Sequence, residues 1–232
     1  MLQKERELGL VKNKKPGNGP ITFKAELQFL PLEDGKELDP RVRRTRQLII
    51  QAFSELLEEK GFQNVTVGDI AARATINRAT FYAHFVDKYA LLDHIVRESF
   101  QQTLYAKLSV NCEINLENLR LLILTTIEYL KQFHSSCAKV HEGSQPFIEA
   151  QVQKLLYEFI LNWFKQLKPG QLPPNTVPEI TASAVSWTIF GVSLEWGQGS
   201  KQHSIEQVAN QIVILISEGL SPLTNRLPLA IR

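Results

Sequence analysis

Within the eight residues Asn77–His84, the side chains of Asn77, Arg78, Thr80, Tyr82 and His84 bring together an amide, a guanidinium, a hydroxyl, a phenol and an imidazole. Each can donate hydrogen bonds, and the guanidinium also keeps its charge at any accessible pH. If the stretch is helical, burying Phe81 and Phe85 turns these donors toward solvent. Donors arranged so suit phosphate oxygens and the edges of nucleobases. A second cationic group, Arg41, Arg43, Arg44 and Arg46, follows Asp39-Pro40 directly. Four cations at the start of a helix oppose its macrodipole at about 0.3–1 kcal/mol each when exposed, and an adjacent phosphate would turn that cost into attraction. Lys88, in the first turn of a further helix, offers another phosphate site beside free backbone N–H groups.

One set has the spacing of metal ligands: His134, Cys137 and His141 share a helical face. Three ligands on one helix are strained without a fourth, for which Cys112 is a candidate. The alternative is polar residues in a loop before Pro146, and we assign no metal and no cofactor. The chain has no Gly-rich phosphate loop, nucleophile elbow or Cys-x-x-Cys pair. An α-helical enzyme or carrier is therefore disfavoured.

These groups need elements to hold them. Asp39-Pro40 is a helix start, with Asp as cap and Pro in the first turn. The stripe Ile49, Ala52, Phe53, Leu56 and Leu57 carries this helix to about Lys60, where Gly61 can take a left-handed end and Phe62 can fold back. Thr66 and Asp69 form a capping box ahead of Ile70, Ala71 and Ala74. Thr75-Ile76-Asn77 is the turn, and Asn77 caps a helix from Arg78 to about Phe85. Two short helices joined by a tight turn, the second with a polar face, make a helix-turn-helix, whose second helix enters the major groove. Asp87 caps a fourth helix that reaches to about Leu108.

Beyond Ser109 the pattern stays helical, over 116–133, 146–167, 178–196 and 204–219, with no repeat and no strand pattern. The last two helices are apolar on more than one face. Val185, Ile189, Val192 and Trp196 form one stripe, Ala184, Trp187, Gly191 and Leu194 a second, and Ile212 to Ile216 are apolar nearly all round. Faces of that kind must be covered, and a second subunit is expected to do so across Ala184, Trp187, Gly191, Leu194, Ile212, Leu215 and Ile216.

Of 232 residues, 44% are hydrophobic and 22% charged, ordinary for a globular chain, and the net charge is +2. The distribution is more telling. Residues 40–88 hold eight Lys/Arg against five Asp/Glu, whereas residues 89–232 hold eleven against twelve. The basic excess lies on the segment expected to meet phosphates. Residues 1–38 read as a flexible extension, with a basic arm of Lys12, Lys14 and Lys15 as the functional alternative. The first residues lack the apolar core of a signal peptide, no apolar run is long enough to span a bilayer, and two cysteines make no disulfide framework. A cytoplasmic location is expected.

The run T-V-x-D-I-A-x-x-A-x-I-N-R-x-T-F-Y-x-H-F-x-D-K-x-x-L-L, from Thr66 to Leu92, closely resembles the signature of the TetR family of bacterial transcription regulators. The likeness covers roughly residues 41–92. It implies an all-α protein: an N-terminal three-helix helix-turn-helix domain (39–88) followed by a helical effector-binding and dimerisation domain (89–232). It implies a homodimer on double-stranded DNA, reading a palindromic operator, commonly as a repressor relieved by a small molecule that tilts the fourth helix. Asn77, Arg78 and Thr80 match the positions where base or phosphate contacts begin, Tyr82, His84 and Lys88 the phosphate-contacting ones, with Arg44 and Thr66 as further backbone contacts. The resemblance also implies an effector cavity, for which Tyr105, Tyr129, Phe133, Tyr157 and Trp163 are candidates. Gly68 departs from the pattern, standing where a longer polar side chain often helps read bases. A co-activator working mainly through a protein partner is the alternative within the same family.

Overall fold

The computed structural model describes residues 39–109, 112–135, 143–168, 171, 174–199 and 202–219. The extension at 1–38, and Cys137 and His141 of the candidate metal set, lie outside them. Among the described residues the chain forms eight α-helices and no strand: α1 (Pro40–Asn64), α2 (Val67–Arg73), α3 (Arg78–Tyr82), α4 (Lys88–Tyr105), α5 (Leu116–Ser135), α6 (Gln145–Gln166), α7 (Pro178–Gly197) and α8 (Ile205–Glu218). No helix among these is long and apolar enough to cross a membrane.

The helix boundaries fall where local chemistry puts them. The Asp39 carboxylate accepts from the Arg41 amide at 2.8 Å, ahead of Pro40. Gly61 interrupts α1 at φ 73°, a backbone angle that glycine adopts without strain. The chain then turns Phe62 into the core, edge-on to Phe53 with ring centroids 6.3 Å apart. Thr66 and Asp69 exchange the two bonds of a capping box. Asn77 caps α3 through the Thr80 amide (2.7 Å), and Asp87 caps α4 through Ala90 (2.7 Å).

α3 is shorter than the spacing predicts, closing at Tyr82 instead of about Phe85. The His84 and Phe85 amides both donate to the Phe81 carbonyl at 2.9 Å, and the chain then extends to Asp87 (φ −163°), as the cap of α4 requires.

A single apolar cluster draws on all eight helices, from Ile49, Phe53 and Phe62 through Ile70 and Phe81, along Leu91, Ile95 and Phe100 of α4, to Leu122, Leu156, Ile189 and Val208. α4 contributes at both ends of this core and packs along α6, while α5 packs on α7 and α8.

Two sets of sequence expectations change here. Ile212 is 2% exposed and packs inward with Val208 and Ala209, so it is unavailable to a second subunit; Ile214 and Leu215 face out instead. Trp187 is 57% exposed, and Ala184 and Gly191 lie on the same open face. A Cβ on Gly191 would meet nothing within 4 Å. Of the aromatics expected around an effector cavity, Tyr129, Phe133 and Trp163 are buried in the core. Tyr129 meets the Phe100 ring edge-on at 5.1 Å and its hydroxyl reaches Ser99 Oγ at 3.3 Å. Trp163 packs at 4.9 Å on Phe159, which also meets Tyr105 at 6.4 Å, and Tyr157 packs partly buried against the same core. These rings take up one another's faces and edges, as core aromatics do.

Candidate nucleic-acid interface

Phe81 and Phe85 are buried, their rings 6.0 Å apart, and this fixes which side of α3 looks outward. Asn77, Arg78 and Tyr82 are exposed, with Thr80 and His84 half-buried beside them. Tyr82, 55% exposed, rests its ring edge-on against Phe81 at 5.7 Å and leaves its phenol outside. Asn77 is partly committed, because its Oδ1 accepts from both the amide and the hydroxyl of Thr80 (2.7 and 3.0 Å). Thr80 thereby keeps its methyl group and its oxygen lone pairs for a ligand.

Thr66 is committed too. Its hydroxyl donates to Asp69 Oδ2 at 2.6 Å and accepts from the Asp69 amide at 3.2 Å. Lys60 lies 2.7 Å from the same carboxylate oxygen, and hydrogen bonds from Lys60 and Thr66 hold the Asp69 carboxyl far below the usual carboxylate range. At the other end of α2, Arg73 forks onto Glu59 of α1 (2.8 and 2.7 Å) and reaches Glu55 at 3.2 Å. The hydrogen bonds from Arg73 lower the Glu59 pKa. The pairs clamp the two ends of α2 to α1, so α3 is presented from a braced support.

Arg78 is seated by a residue that sequence reasoning valued only for its absence. A Cβ placed on Gly68 would come within 2.7 Å of Arg78 Nη2 and 3.3 Å of its Cζ. Gly68 therefore leaves the gap across which the Arg78 guanidinium lies, and no side chain on α2 substitutes for it. Gly68→Ala is expected to raise thermal stability slightly, by about 0.5–1 kcal/mol from helix propensity, while displacing the guanidinium. Melting curves paired with binding to a set of single-base operator variants check this; an unchanged base preference would show that the seat does not matter.

The α1 arginines divide. Arg41, Arg43 and Arg44 are exposed, near the outer end of α1. Arg46 turns inward, its Cζ 5.9 Å from the centre of the Phe85 ring and its Nε buried without a partner. Burial, then the Arg46 charge, lowers the His84 pKa, so its imidazole meets a ligand as a neutral donor at pH 7. Beyond lie His94 and Glu98 of α4, 3.4 Å apart. Burial pushes Glu98 up to about 7 and His94, with help from Arg46, down to about 4.

Folded Glu98 thus keeps a proton that the unfolded chain releases from about pH 4.5 upward, and its contribution to stability falls as pH rises toward 7. His94 acts in the opposite sense between pH 6.5 and about 4, so the two oppose each other in mild acid. Glu98→Gln is expected to add about 1–2 kcal/mol at pH 8 and little at pH 5. Denaturant melts across pH check it, and a gain equal at both values would remove the titration as its source.

Lys88, which the resemblance matches to a phosphate-contacting position, has its side chain engaged within the protein. Its Nζ donates to three backbone carbonyls, Phe62 (2.9 Å), Gln63 (3.2 Å) and Val65 (2.9 Å), and lies 4.7 Å over the Phe62 ring. Burial, then Lys60, lowers its pKa, while the three carbonyls favour the protonated form that alone can donate three times. An ammonium has three donors, and here all three are taken. We therefore assign Lys88 to the tie between α4 and the α1–α2 connection, and not to a phosphate. His134, the described member of the candidate metal set, stands 3.6 Å from Glu149, and no group of three potential metal ligands occurs among the described residues.

Two family models match the chain. The model for bacterial regulatory proteins of the tetR family covers residues 49–95, and that for a transcriptional regulator C-terminal region covers 117–218. The HTH-type transcriptional regulator YxbF of Bacillus subtilis is 40% identical over 68 residues, which are 29% of this chain and 18% of that protein. The match to that relative thus spans less than a fifth of its length. The HTH-type transcriptional repressor KstR2 of Rhodococcus jostii is 26% identical over 190 residues, covering 77% of this chain and 91% of that one. In fold, a structure from Mesorhizobium loti described as a TetR-family transcriptional regulator superposes with a TM-score of 0.50 at 19% identity, over 79% of this chain and 98% of its own. With a helix-turn-helix at one end, an all-helical body at the other and both halves matched, the chain belongs to the TetR family of transcriptional regulators.

Proposed function

We propose that this protein is a cytoplasmic, ligand-responsive repressor that binds a palindromic operator in double-stranded DNA as a homodimer. The observation that carries it is the outer face of α3. Arg78 and Tyr82 are exposed on a helix whose opposite side is anchored by Phe81 and Phe85, with Arg41, Arg43 and Arg44 exposed on α1. Arg78 is suited to guanine edges, Thr80 through its methyl group to a thymine methyl, and Tyr82, His84 and the Asn77 amide to the DNA backbone. Arg44 and its neighbours add sequence-independent attraction. Thr66 would contribute through the backbone around it, its hydroxyl being spent in the capping box.

The dimer is supported by the outward apolar face of α7 and α8, where Ala184, Trp187, Gly191, Ile214 and Leu215 are exposed beside the half-buried Leu194, whereas Ile216 packs against the core. An exposed apolar surface of this kind marks an interaction site, and the small residues on α7 allow close approach. Two copies joined there would set their recognition helices about one helical turn, ~34–36 Å, apart. The relative KstR2 is a transcriptional repressor, which supports repression here. The effector is a small molecule.

Selection of bound sequences from random DNA tests the whole proposal. A palindrome with half-sites about one turn apart is expected, with two protomers per site by sedimentation. Enrichment of a single half-site, or no enrichment at moderate salt, would overturn it; the latter would favour action through a protein partner.

A further inference from the structure

Where α4 leaves the helix-turn-helix it runs beside the start of α6, and a cleft of about 350 Å³ opens between them. Its walls are largely apolar and aromatic: Val86, 76% exposed, Phe147, 49% exposed, and Tyr89, whose ring lies 4.8 Å from that of Phe147. Asp93 and Gln151 line the same cleft from facing helices. Each has a buried side-chain oxygen, Oδ1 and Oε1 respectively, with no hydrogen-bond partner. Asp93 forms no ion pair among the described residues, and Arg97, one turn further along α4, is held by Glu158 of α6 at 3.0 Å.

Asp93 lines these apolar walls with no counter-charge paired to it among the described residues. Gln151 brings its own amide donor, so the acceptor left to a ligand is the Asp93 carboxylate, which calls for a ligand that donates. Aromatic faces beside them favour a cation carrying its own apolar body. We propose that this cleft binds a small protonated arylalkylamine, with the ammonium donating to the Asp93 carboxylate and the ring lying against Phe147 and Val86. The site is separate from the buried aromatics Tyr129, Phe133 and Trp163.

The cleft also touches the tie that holds the DNA-binding module. Tyr89 packs on Phe62 at 5.2 Å as well as on Phe147, and Lys88 Nζ lies 5.7 Å over the Tyr89 ring. Asp87, which caps α4, is part of the wall. A ligand here would press on the residues that fix α4 to the α1–α2 connection; any such effect on DNA rests on the regulator proposed above, whereas the binding itself does not.

Calorimetric titration of the full chain with phenethylamine at pH 7, without DNA, tests the site. Saturable binding with a dissociation constant of about 0.1–1 mM is expected, an affinity in keeping with so small a ligand. 2-Phenylethanol, similar in shape but uncharged, should bind at least about tenfold more weakly. Asp93→Asn should erase the preference for the amine, and Phe147→Ala should weaken both compounds alike. Equal affinity for amine and alcohol, or an Asp93→Asn protein that retains the preference, would overturn the proposal. A repeat in the presence of selected DNA then separates the two proposals, since amine binding that leaves DNA affinity unchanged upholds the site and removes its regulatory role.

Discussion

Lys88→Met is expected to destabilise the protein by about 2–3 kcal/mol without changing the number of phosphates it neutralises. The magnitude comes from the carbonyls. Removing one partner of a buried or half-buried hydrogen bond leaves the other unsatisfied at about 1–3 kcal/mol, more where the lost donor is charged. Lys88 serves Phe62, Gln63 and Val65 together, and these residues bridge the break in α1 at Gly61 to the cap of α2. Methionine keeps much of the stem's packing against Phe62, so the loss reports on the ammonium.

Denaturant titration gives the stability. Affinity for DNA measured against salt concentration gives the second half of the result, since each phosphate contact contributes about 0.9 to the slope of log K against log salt. A slope lowered by about one in the variant would return Lys88 to the phosphate-contacting role that the motif implies, and would sink the assignment made from its three carbonyls.

Arg78→Ala is expected to cost about 1–3 kcal/mol on the preferred operator, roughly 5- to 150-fold in affinity, and much less on random DNA. A bidentate guanidinium discriminates guanine from the other bases, so its loss should relax preference at one position per half-site. The position of the guanidinium over Gly68 strengthens this expectation, because a side chain resting on a fixed support loses less freedom on binding. Fluorescence anisotropy at one fixed salt concentration, on cognate and scrambled duplexes, checks it. Equal losses on both would reduce Arg78 to a phosphate contact.

Much of the DNA-binding module was legible in the sequence, because its boundaries are set by neighbours in the chain. Asp39, Thr66, Asn77 and Asp87 each cap the helix that follows within two or three residues, so spacing alone locates them. Phe81 and Phe85 gave the orientation of α3 for the same reason. What the sequence did not show depends on partners far along the chain. Lys88 meets carbonyls more than twenty residues away, and backbone acceptors have no side-chain signature.

Ile212 sits in an apolar run whose inward and outward members look alike until α5 and α7 are in place. Tyr129 and Trp163 carry polar handles that suit a cavity as well as they suit a core, and only packing decides. The cleft between α4 and α6 joins residues near position 90 to residues near 150, which no periodicity links. Gly68 was visible as a departure from the motif, but its use became apparent only once the Arg78 side chain lay across it.

α4 spans 18 residues, about 27 Å at 1.5 Å per residue, and contributes to the apolar core along its length. A rigid rod of that length magnifies small angles. Pivoting by only about 5° around its Tyr105 end would carry its Lys88 end about 2.4 Å sideways, and two symmetry-related rods would change the gap between their tips by up to about 5 Å. Adjacent phosphates on a DNA strand advance about 3.4 Å along the axis. In the homodimer proposed above, a rotation too small to break any helix would thus put the two recognition helices out of step with the operator by more than one nucleotide, and the precision with which α4 is held would set how sharply such a protein tells bound from released.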